Sequence, residues 1–380
     1  MKNIVIFGST GTIGQNTLEL IRRQKEKFNI LCIACKKNKK LFSKQIEEFR
    51  PKYAYIEEKD EDFMRKYKNV KFFYGEEGLI EISNLKEGDL FIFAIPGIKT
   101  LPAFIECIKN KKKVALATKE ILVSGGEIIQ DLKKVYNFEI LPVDSEHNAI
   151  FQILKYENKG IKKIYLTASG GPFYGKKKKN VKVKEALNHP VWKMGKKITI
   201  DSATMMNKTF EIIEAHYLFS LREEQIDVVI HPEAIIHGMV EFIDGTLKLV
   251  GFIPDMKFPI NYVLNYPERV DSKLKEIDFG KINKLNFKKV NEEAKWLNFA
   301  KEAIRKKGSY PVVLNGANER AVEFFLDGKI NFGNIMNVIE KVVEKHQFKE
   351  KLDIKDIFYY HNWARNQVER IIGGDKCSVQ

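Results

Sequence analysis

Along the first 150 residues, short apolar runs alternate with amphipathic stretches in which apolar positions recur every three or four residues. β-rich runs separated by helical periodicity mark a parallel sheet with helices on both faces. The pattern predicts strands at Asn3–Phe7, Ile30–Ala34, Tyr53–Ile56, Leu90–Ala94, Lys113–Ala117 and Glu139–Val143. An α/β architecture follows, with a Rossmann-like, doubly wound parallel sheet over residues 1–150. From 151 to 265 the periods mix, with strands at Ile164–Ala168, Val228–His231 and His237–Phe242 around one strong helix, Ala203–Phe219. This second region reads as a central α+β domain. A lysine- and asparagine-rich stretch at 266–291 reads as a linker. The remainder, 292–380, predicts a C-terminal helical bundle with helices at Glu292–Lys306, Val313–Leu326 and Ile354–Ile372.

A chain of 380 residues has room for the two or three cores this pattern requires. Its longest apolar stretch, around Leu90 to Ile98, is broken by Pro96 and Gly97, too short for a membrane span. The opening MKNIVIFGSTG has one lysine and an apolar run that stops at glycine, so it reads as a strand and a cytoplasmic location is expected. The net charge of +15 suits nucleic acid, acidic membranes or small anions. No RNA-binding signature or cluster of stacking aromatics accompanies it, and the tract Lys176–Lys179 reads as solvated surface, so no nucleic-acid partner is expected. Cys32 and Cys35 form a C-x-x-C inside an apolar strand, with no second pair to complete a zinc site. They read as buried strand cysteines.

The segment IVIFGSTGTIGQNTLELI joins a strand, a glycine turn and an amphipathic helix, the context of a dinucleotide fingerprint. Gly8, Gly11 and Gly14 let backbone approach a pyrophosphate, and the helix N terminus offers N–H donors. The spacing is a variant, because Thr10 stands where the middle glycine is usual. After the next strand, where NAD enzymes carry an acid, the chain reads Cys35-Lys36-Lys37-Asn38-Lys39-Lys40. Lysines there suit the 2′-phosphate of NADPH, which a carboxylate would repel.

Asp144 and Glu146, in LPVDSEH, follow the last strand of the first region. In extended chain an i, i+2 pair points to one side, and two hard oxygen ligands favour Mg²⁺ or Mn²⁺. The helix over DSATMMNKTFEIIEAHYLF places Asn207 and Glu211 one turn apart with Lys208 beside them, a set suited to a metal and a phosphate. Upstream, Thr167-Ala168-Ser169-Gly170-Gly171-Pro172 has the composition of an anion-binding backbone nest. His189-Pro190-Val191-Trp192-Lys193-Met194-Gly195 is irregular and rich in large side chains, and reads as a lid with an aromatic cover.

Taken together, GSTGTIG, ATKEILVSGG, LPVDSEHNAIFQ, TASGGPF, HPVWKMGKKITIDSATMMNK, HPEAIIHGMVEF and LNGANERAV closely resemble the 1-deoxy-D-xylulose 5-phosphate reductoisomerase family, nearly end to end. The resemblance implies conversion of 1-deoxy-D-xylulose 5-phosphate to 2-C-methyl-D-erythritol 4-phosphate in non-mevalonate isoprenoid synthesis, through cleavage and rejoining of the carbon skeleton and reduction by NADPH. It implies a homodimer, with catalysis and dimerisation assigned to 151–265. Cofactor contacts would come from Gly8, Thr10, Gly11, Thr12, Ile13, Gly14, Lys36, Lys37, Asn38, Thr118, Glu120 and Gly195. Asp144, Glu146 and Glu211 would be the metal ligands. Lys119, Ser145, Glu146, Ser169, His189, Ser202, Asn207, Lys208 and Glu211 would surround the substrate, its phosphate near Ser169, Ser202, Asn207 and Lys208, with Trp192 as cover. Lys119, Glu146 and His189 are the catalytic candidates, and the sequence does not choose between proton handling and charge stabilisation for Lys119 and His189. Lys36 stands where the family commonly has glycine, Thr118 where asparagine is common and Pro96 where a branched residue is usual. His147, His216, His231 and His237 read as structural.

Two rival readings fit less of the chain. A semialdehyde or sugar-phosphate dehydrogenase on the same cofactor fold explains the glycine loop equally well, but an acyl-enzyme dehydrogenase needs a reactive cysteine in its catalytic domain, and none lies between Cys107 and Cys377. A redox-sensing, nucleic-acid-binding regulator leaves the acids and the phosphate pocket without a purpose.

Overall fold

The computed structural model describes residues 1–175, 181–192, 194–271 and 273–374, so the Lys176–Lys179 tract, Lys193 and Cys377 lie outside the described residues. Two compact units are present. One comprises Met1–Ile121, Ile129–Asn148 and Asp255–Lys275, the other Leu122–Ile128, Ala149–Pro254 and Glu276–Gln380. Both are discontinuous in sequence. The stretch 266–291, expected as a linker, is shared out at residue 275.

The first unit is built on seven parallel strands: β1 (Lys2–Phe7), β2 (Phe28–Cys35), β3 (Tyr53–Ile56), β4 (Lys71–Tyr74), β5 (Leu90–Phe93), β6 (Lys113–Leu116) and β7 (Ile140–Pro142). Their order is β4-β3-β2-β1-β5-β6-β7, the doubly wound arrangement that the pattern predicts. Residues Ile4–Phe7 and Leu90–Phe93 are buried on both faces, which explains why these strands read as unbroken apolar runs. The direction of winding reverses between β1 and β5, the place where open α/β sheets bind ligands. β4 has no apolar alternation because it is the edge strand, with only Phe73 buried, and periodicity does not find it. Helix Lys257–Asn265 returns to this unit and packs against helix Thr12–Arg23. Gln24 Nε2 donates to Asn261 Oδ1 at 3.0 Å, and Lys257 pairs with Glu19 at 2.8 Å. Cys32 and Cys35 are buried and free, as read from their strand.

The second unit has a mixed sheet of β8 (Ile161–Ala168), β9 (Ile226–Ile230), β10 (Ile236–Phe242), β11 (Leu247–Gly251) and β12 (Lys288–Lys289), ordered β11-β10-β8-β9-β12. β8 and β9 run parallel, and the other pairs are antiparallel. The core beneath it gathers Ile164, Leu166, Val228 and Val240 from the sheet and Ile212 and Ala215 from a helix. The helix expected over Ala203–Phe219 is two helices, Lys196–Thr204 and Met206–Phe219, because Met205 between them adopts a left-handed conformation (φ 66°). The C-terminal helices are Lys295–Lys306, Ser309–Leu326, Asn334–Lys345 and Ile354–Gly374. Among the described residues no helix is long and apolar enough to cross a membrane.

Candidate active site

In the first unit the glycine loop leaves β1 at the winding reversal. Gly8 has φ 98°, and a Cβ there would stand 2.7 Å from the Ala94 carbonyl oxygen beyond β5. A Cβ on Gly14 would meet the Gly8 carbonyl oxygen at 2.3 Å, so the first turn of the helix closes directly on the loop. Only glycine permits this approach. Ser9 N–H donates to the Ala34 carbonyl at 2.9 Å, fixing the loop to β2, while Gly11 and Thr12 remain exposed with Thr10 and Ile13 half-buried. No side chain caps this helix, leaving first-turn N–H groups available to an anion.

The two unusual residues are already committed. Lys36 pairs with Glu57 at 3.1 Å, and Lys99 holds the same carboxylate. Thr118 Oγ1 lies 2.9 Å from the Ile95 carbonyl and 3.3 Å from that of Phe93, tying together the ends of β5 and β6. Asn38 caps helix Lys39–Phe49 by accepting from Leu41 N–H at 3.1 Å, and Lys37 beside it is exposed. Glu120 is buried at the start of helix Glu120–Val135.

Asp144 follows β7, and helix Ser145–Leu154 begins immediately after it. The expected extended i, i+2 pair therefore does not exist: Asp144 flanks a helix N terminus and Glu146 lies in its first turn. Asp144 Oδ2 is 2.8 Å from Lys119 Nζ and its Oδ1 is 3.0 Å from His147 Nδ1. Burial pushes the Asp144 carboxyl up, but Lys119 and His147 hold it well below the usual carboxylate range. Ser145 Oγ donates to Glu146 Oε2 at 2.5 Å. His147, read as structural, is fully buried against Asp144, and its place three residues on was the available signal.

In the second unit, Gly170 (φ 86°) and Gly171 (φ 71°) follow Ser169 at the end of β8. A Cβ on Gly171 would stand 2.7 Å from the Ser202 carbonyl oxygen, so the glycine turn and the helix carrying Ser202 touch. That helix is anchored from below, since Asp201 accepts from Asn318 Nδ2 at 2.9 Å and pairs with Lys197 at 2.9 Å. The sequence reading missed this anchor, whose partners are remote in the chain. Lys208 Nζ donates to the Thr167 carbonyl at 2.5 Å and pairs with Glu211, while Asn207 Nδ2 donates to Glu211 Oε1 at 2.5 Å. Lys208 and Glu211 side chains are only 4% and 1% exposed, a placement charged groups tolerate when paired. His189 Nε2 is 3.3 Å from Ser169 Oγ, and burial lowers the His189 pKa. Trp192 packs beside His237, ring centroids 5.9 Å apart, and Gly195 N-caps helix Lys196–Thr204.

The predicted site residues therefore form two groups, each held within its own unit. The first contains the Gly8–Gly14 loop, Lys36–Asn38, Thr118–Glu120 and Asp144–Glu146. The second contains Ser169, His189, Trp192, Gly195, Ser202, Asn207, Lys208 and Glu211.

Three family models match in chain order: 1-deoxy-D-xylulose 5-phosphate reductoisomerase over residues 4–126, its C-terminal domain over 140–219, and DXP reductoisomerase C-terminal domain over 252–367. The chain is 46% identical over 380 residues to 1-deoxy-D-xylulose 5-phosphate reductoisomerase of Thermodesulfovibrio yellowstonii, covering 98% of this chain and 100% of that one. It is 46% identical to that of Caldanaerobacter subterraneus, covering 97% and 99%. Among solved structures, DOX-P reductoisomerase in complex with NADPH, fosmidomycin and magnesium superposes with TM-score 0.92 at 35% identity, covering 99% of each chain. The Zymomonas mobilis reductoisomerase in complex with NADPH gives 0.88 at 34% identity, covering 98% and 99%.

Proposed function

Because the chain belongs to the 1-deoxy-D-xylulose 5-phosphate reductoisomerase family, we propose that it rearranges and reduces 1-deoxy-D-xylulose 5-phosphate to 2-C-methyl-D-erythritol 4-phosphate with NADPH and a divalent cation. The observation that carries this reading is the buried Lys208–Glu211 pair with half-buried Asn207 bonded to it, in a unit that also holds the Ser169–Gly171 turn. It offers an ammonium and an amide for a phosphate and a dry carboxylate for a cation.

Each residue takes a role its surroundings support. The open N terminus of helix Thr12–Arg23, with Gly8, Thr10, Gly11, Thr12, Ile13 and Gly14, receives the pyrophosphate of NADPH. Exposed Lys37 and Asn38 face its adenosine phosphate, with Glu120 and Gly195 as further contacts. Lys36 and Thr118, held by Glu57 and by backbone carbonyls, contribute by shaping that wall. Asp144, Glu146 and Glu211 hold Mg²⁺ or Mn²⁺, their hard oxygen donors fitting either ion and Asp144 being kept ionised. When bound, the cation supplies Lewis-acid polarisation of the substrate carbonyl and the nicotinamide supplies hydride.

The chain's own groups do the rest. Ser169, Ser202, Asn207 and Lys208 grip the phosphate, remote from the bonds that change, so binding energy there orients the reacting end. Lys119, paired with Asp144, places a fixed positive charge beside the carboxylate that faces the reacting oxygens. Ser145 orients Glu146. Trp192 covers the bound substrate and excludes water. The enzyme works as a cytoplasmic homodimer paired through residues 151–265, without nucleic-acid or membrane partners.

The test follows NADPH absorbance with 1-deoxy-D-xylulose 5-phosphate, with Mg²⁺ or Mn²⁺ present and then chelated. Turnover that stops on chelation and returns with the metal is expected. Turnover independent of metal, or none, overturns the reading.

A further inference from the structure

His189 has both ring nitrogens engaged, one within its own loop and the other at the end of β8. Its Nδ1 accepts from the backbone N–H of Val191 at 3.1 Å and of Trp192 at 2.9 Å. Backbone N–H groups only donate, so Nδ1 carries no proton and the neutral ring holds its hydrogen on Nε2. That hydrogen points to Ser169 Oγ, 3.3 Å away. Three residues are thus fixed by one imidazole: Val191 and Trp192 through their main chains and Ser169 through its side chain.

The seat of Trp192 is equally definite. Its ring lies beside His237, which stacks on Phe252 with centroids 3.9 Å apart and donates from Nε2 to the Phe252 carbonyl at 3.1 Å. β10 carries His237, so the platform is rigid. The residues Val191 and Trp192 leave the His189 ring in a turn of the kind that Asn and Asp side chains build by accepting main-chain N–H groups two and three residues on.

We infer that His189 is a positioning residue as well as a substrate contact: Nδ1 tethers the loop that seats Trp192, and the tether forces Nε2 to act as a hydrogen-bond donor toward the phosphate pocket at Ser169. The substrate half of this inference rests on the proposed function, whereas the tether does not. One consequence is specific. His189 in this tautomer has no free lone pair at Nε2, so it is excluded as a general base there and acts by donating.

Asparagine and glutamine separate the two nitrogens. In His189→Asn the amide oxygen occupies the Nδ1 position and keeps the tether, while in His189→Gln the longer side chain carries its amide to the Nε2 position and drops it. The experiment compares His189→Asn and His189→Gln in the full chain, using Trp192 emission and kinetics together. The chain has three tryptophans, and subtraction of the Trp192→Phe spectrum isolates the one in the loop. His189→Asn is expected to keep the wild-type Trp192 emission and to lose about tenfold in kcat/KM, mainly by raised KM for the phosphorylated substrate. His189→Gln is expected to red-shift Trp192 emission as water reaches the indole, and to lose more kcat than His189→Asn does. Equal red shifts in both variants, or a shift in neither, overturn the tether. Because either substitution could disturb folding, the wild-type chain with ¹⁵N-labelled histidine supplies a second readout. An unprotonated Nδ1 at His189 is expected, with the resonance assigned by its loss in His189→Asn, and a protonated Nδ1 overturns the proposal. Absent wild-type turnover would refute the proposed function and leave the emission and tautomer results standing on their own.

Discussion

Glu211 answers to two donors at once, Asn207 at one oxygen and Lys208 at the other, and it does so with almost no access to water. Changing it to glutamine keeps the shape and removes the charge. Glu211→Gln is expected to lower turnover by about 100-fold or more while NADPH binding, read by fluorescence titration, stays intact. Loss of cofactor binding would contradict the assignment of Glu211 to metal and substrate. Gly14 gives the opposite outcome. A methyl group there meets the Gly8 and Ser9 backbone, which cannot yield as a flexible side chain does, so Gly14→Ala is expected to weaken NADPH binding and lower the melting temperature together. At this scale the residue types were legible but not their local geometry. Motif chemistry named Asp144 and Glu146, yet the strand ends at Pro142 and a helix begins at Ser145, so the chain is no longer extended where the pair lies. Nothing in the sequence shows which nitrogen of His189 carries a proton, because that depends on where the loop's N–H groups turn.

Helices in the second unit depend on contacts that local periodicity does not show. Helix Ser309–Leu326 packs on Ile354–Gly374 so closely that a Cβ at Gly316 would stand 2.6 Å from the His361 carbonyl oxygen. Beside that contact, Glu319 accepts from His361 Nε2 at 2.9 Å and pairs with Arg365 at 3.1 Å. Burial pushes the Glu319 carboxyl up, but His361 and Arg365 outweigh it and leave its pKa below the ordinary 4.5. A depressed acid stabilises the fold above its unfolded pKa and loses that contribution as pH falls through the folded value. Glu319→Gln is therefore expected to cost about 1–2 kcal/mol near pH 7, with the gap in melting temperature closing below about pH 4.5. A gap that persists in acid would assign the loss to packing. The long helices were legible from their apolar spacing. Strand β4 and the break at Met205 were not, one because an edge strand buries a single side chain and the other because a left-handed methionine has no sequence signature.

The first unit is completed from far along the chain. Ile260, Val263 and Leu264 of helix Lys257–Asn265 are buried, and Lys2 Nζ donates to the Leu264 carbonyl at 3.4 Å. Three such side chains contribute about 1.5–3 kcal/mol each, a large part of what a domain of this size holds in reserve. A fragment of residues 1–148 is accordingly expected to bind a hydrophobic dye and aggregate, and a peptide of residues 255–275 added in trans to suppress both. A fragment that stays monomeric and dye-silent would show that the returning helix is dispensable. The doubly wound sheet was legible because its strands are buried on both faces, but the return of residues 255–275 was not, since an amphipathic helix shows that it needs a neighbour without naming which.

That return also sets a timetable. On the ribosome the N-terminal sheet emerges first, yet its last helix is translated only after the whole of residues 149–254. Throughout that interval the nascent chain presents an unfinished apolar surface on helix Thr12–Arg23, the kind of surface that chaperones hold. The yield of folded enzyme should therefore respond to elongation rate and chaperone supply more strongly than its finished stability suggests.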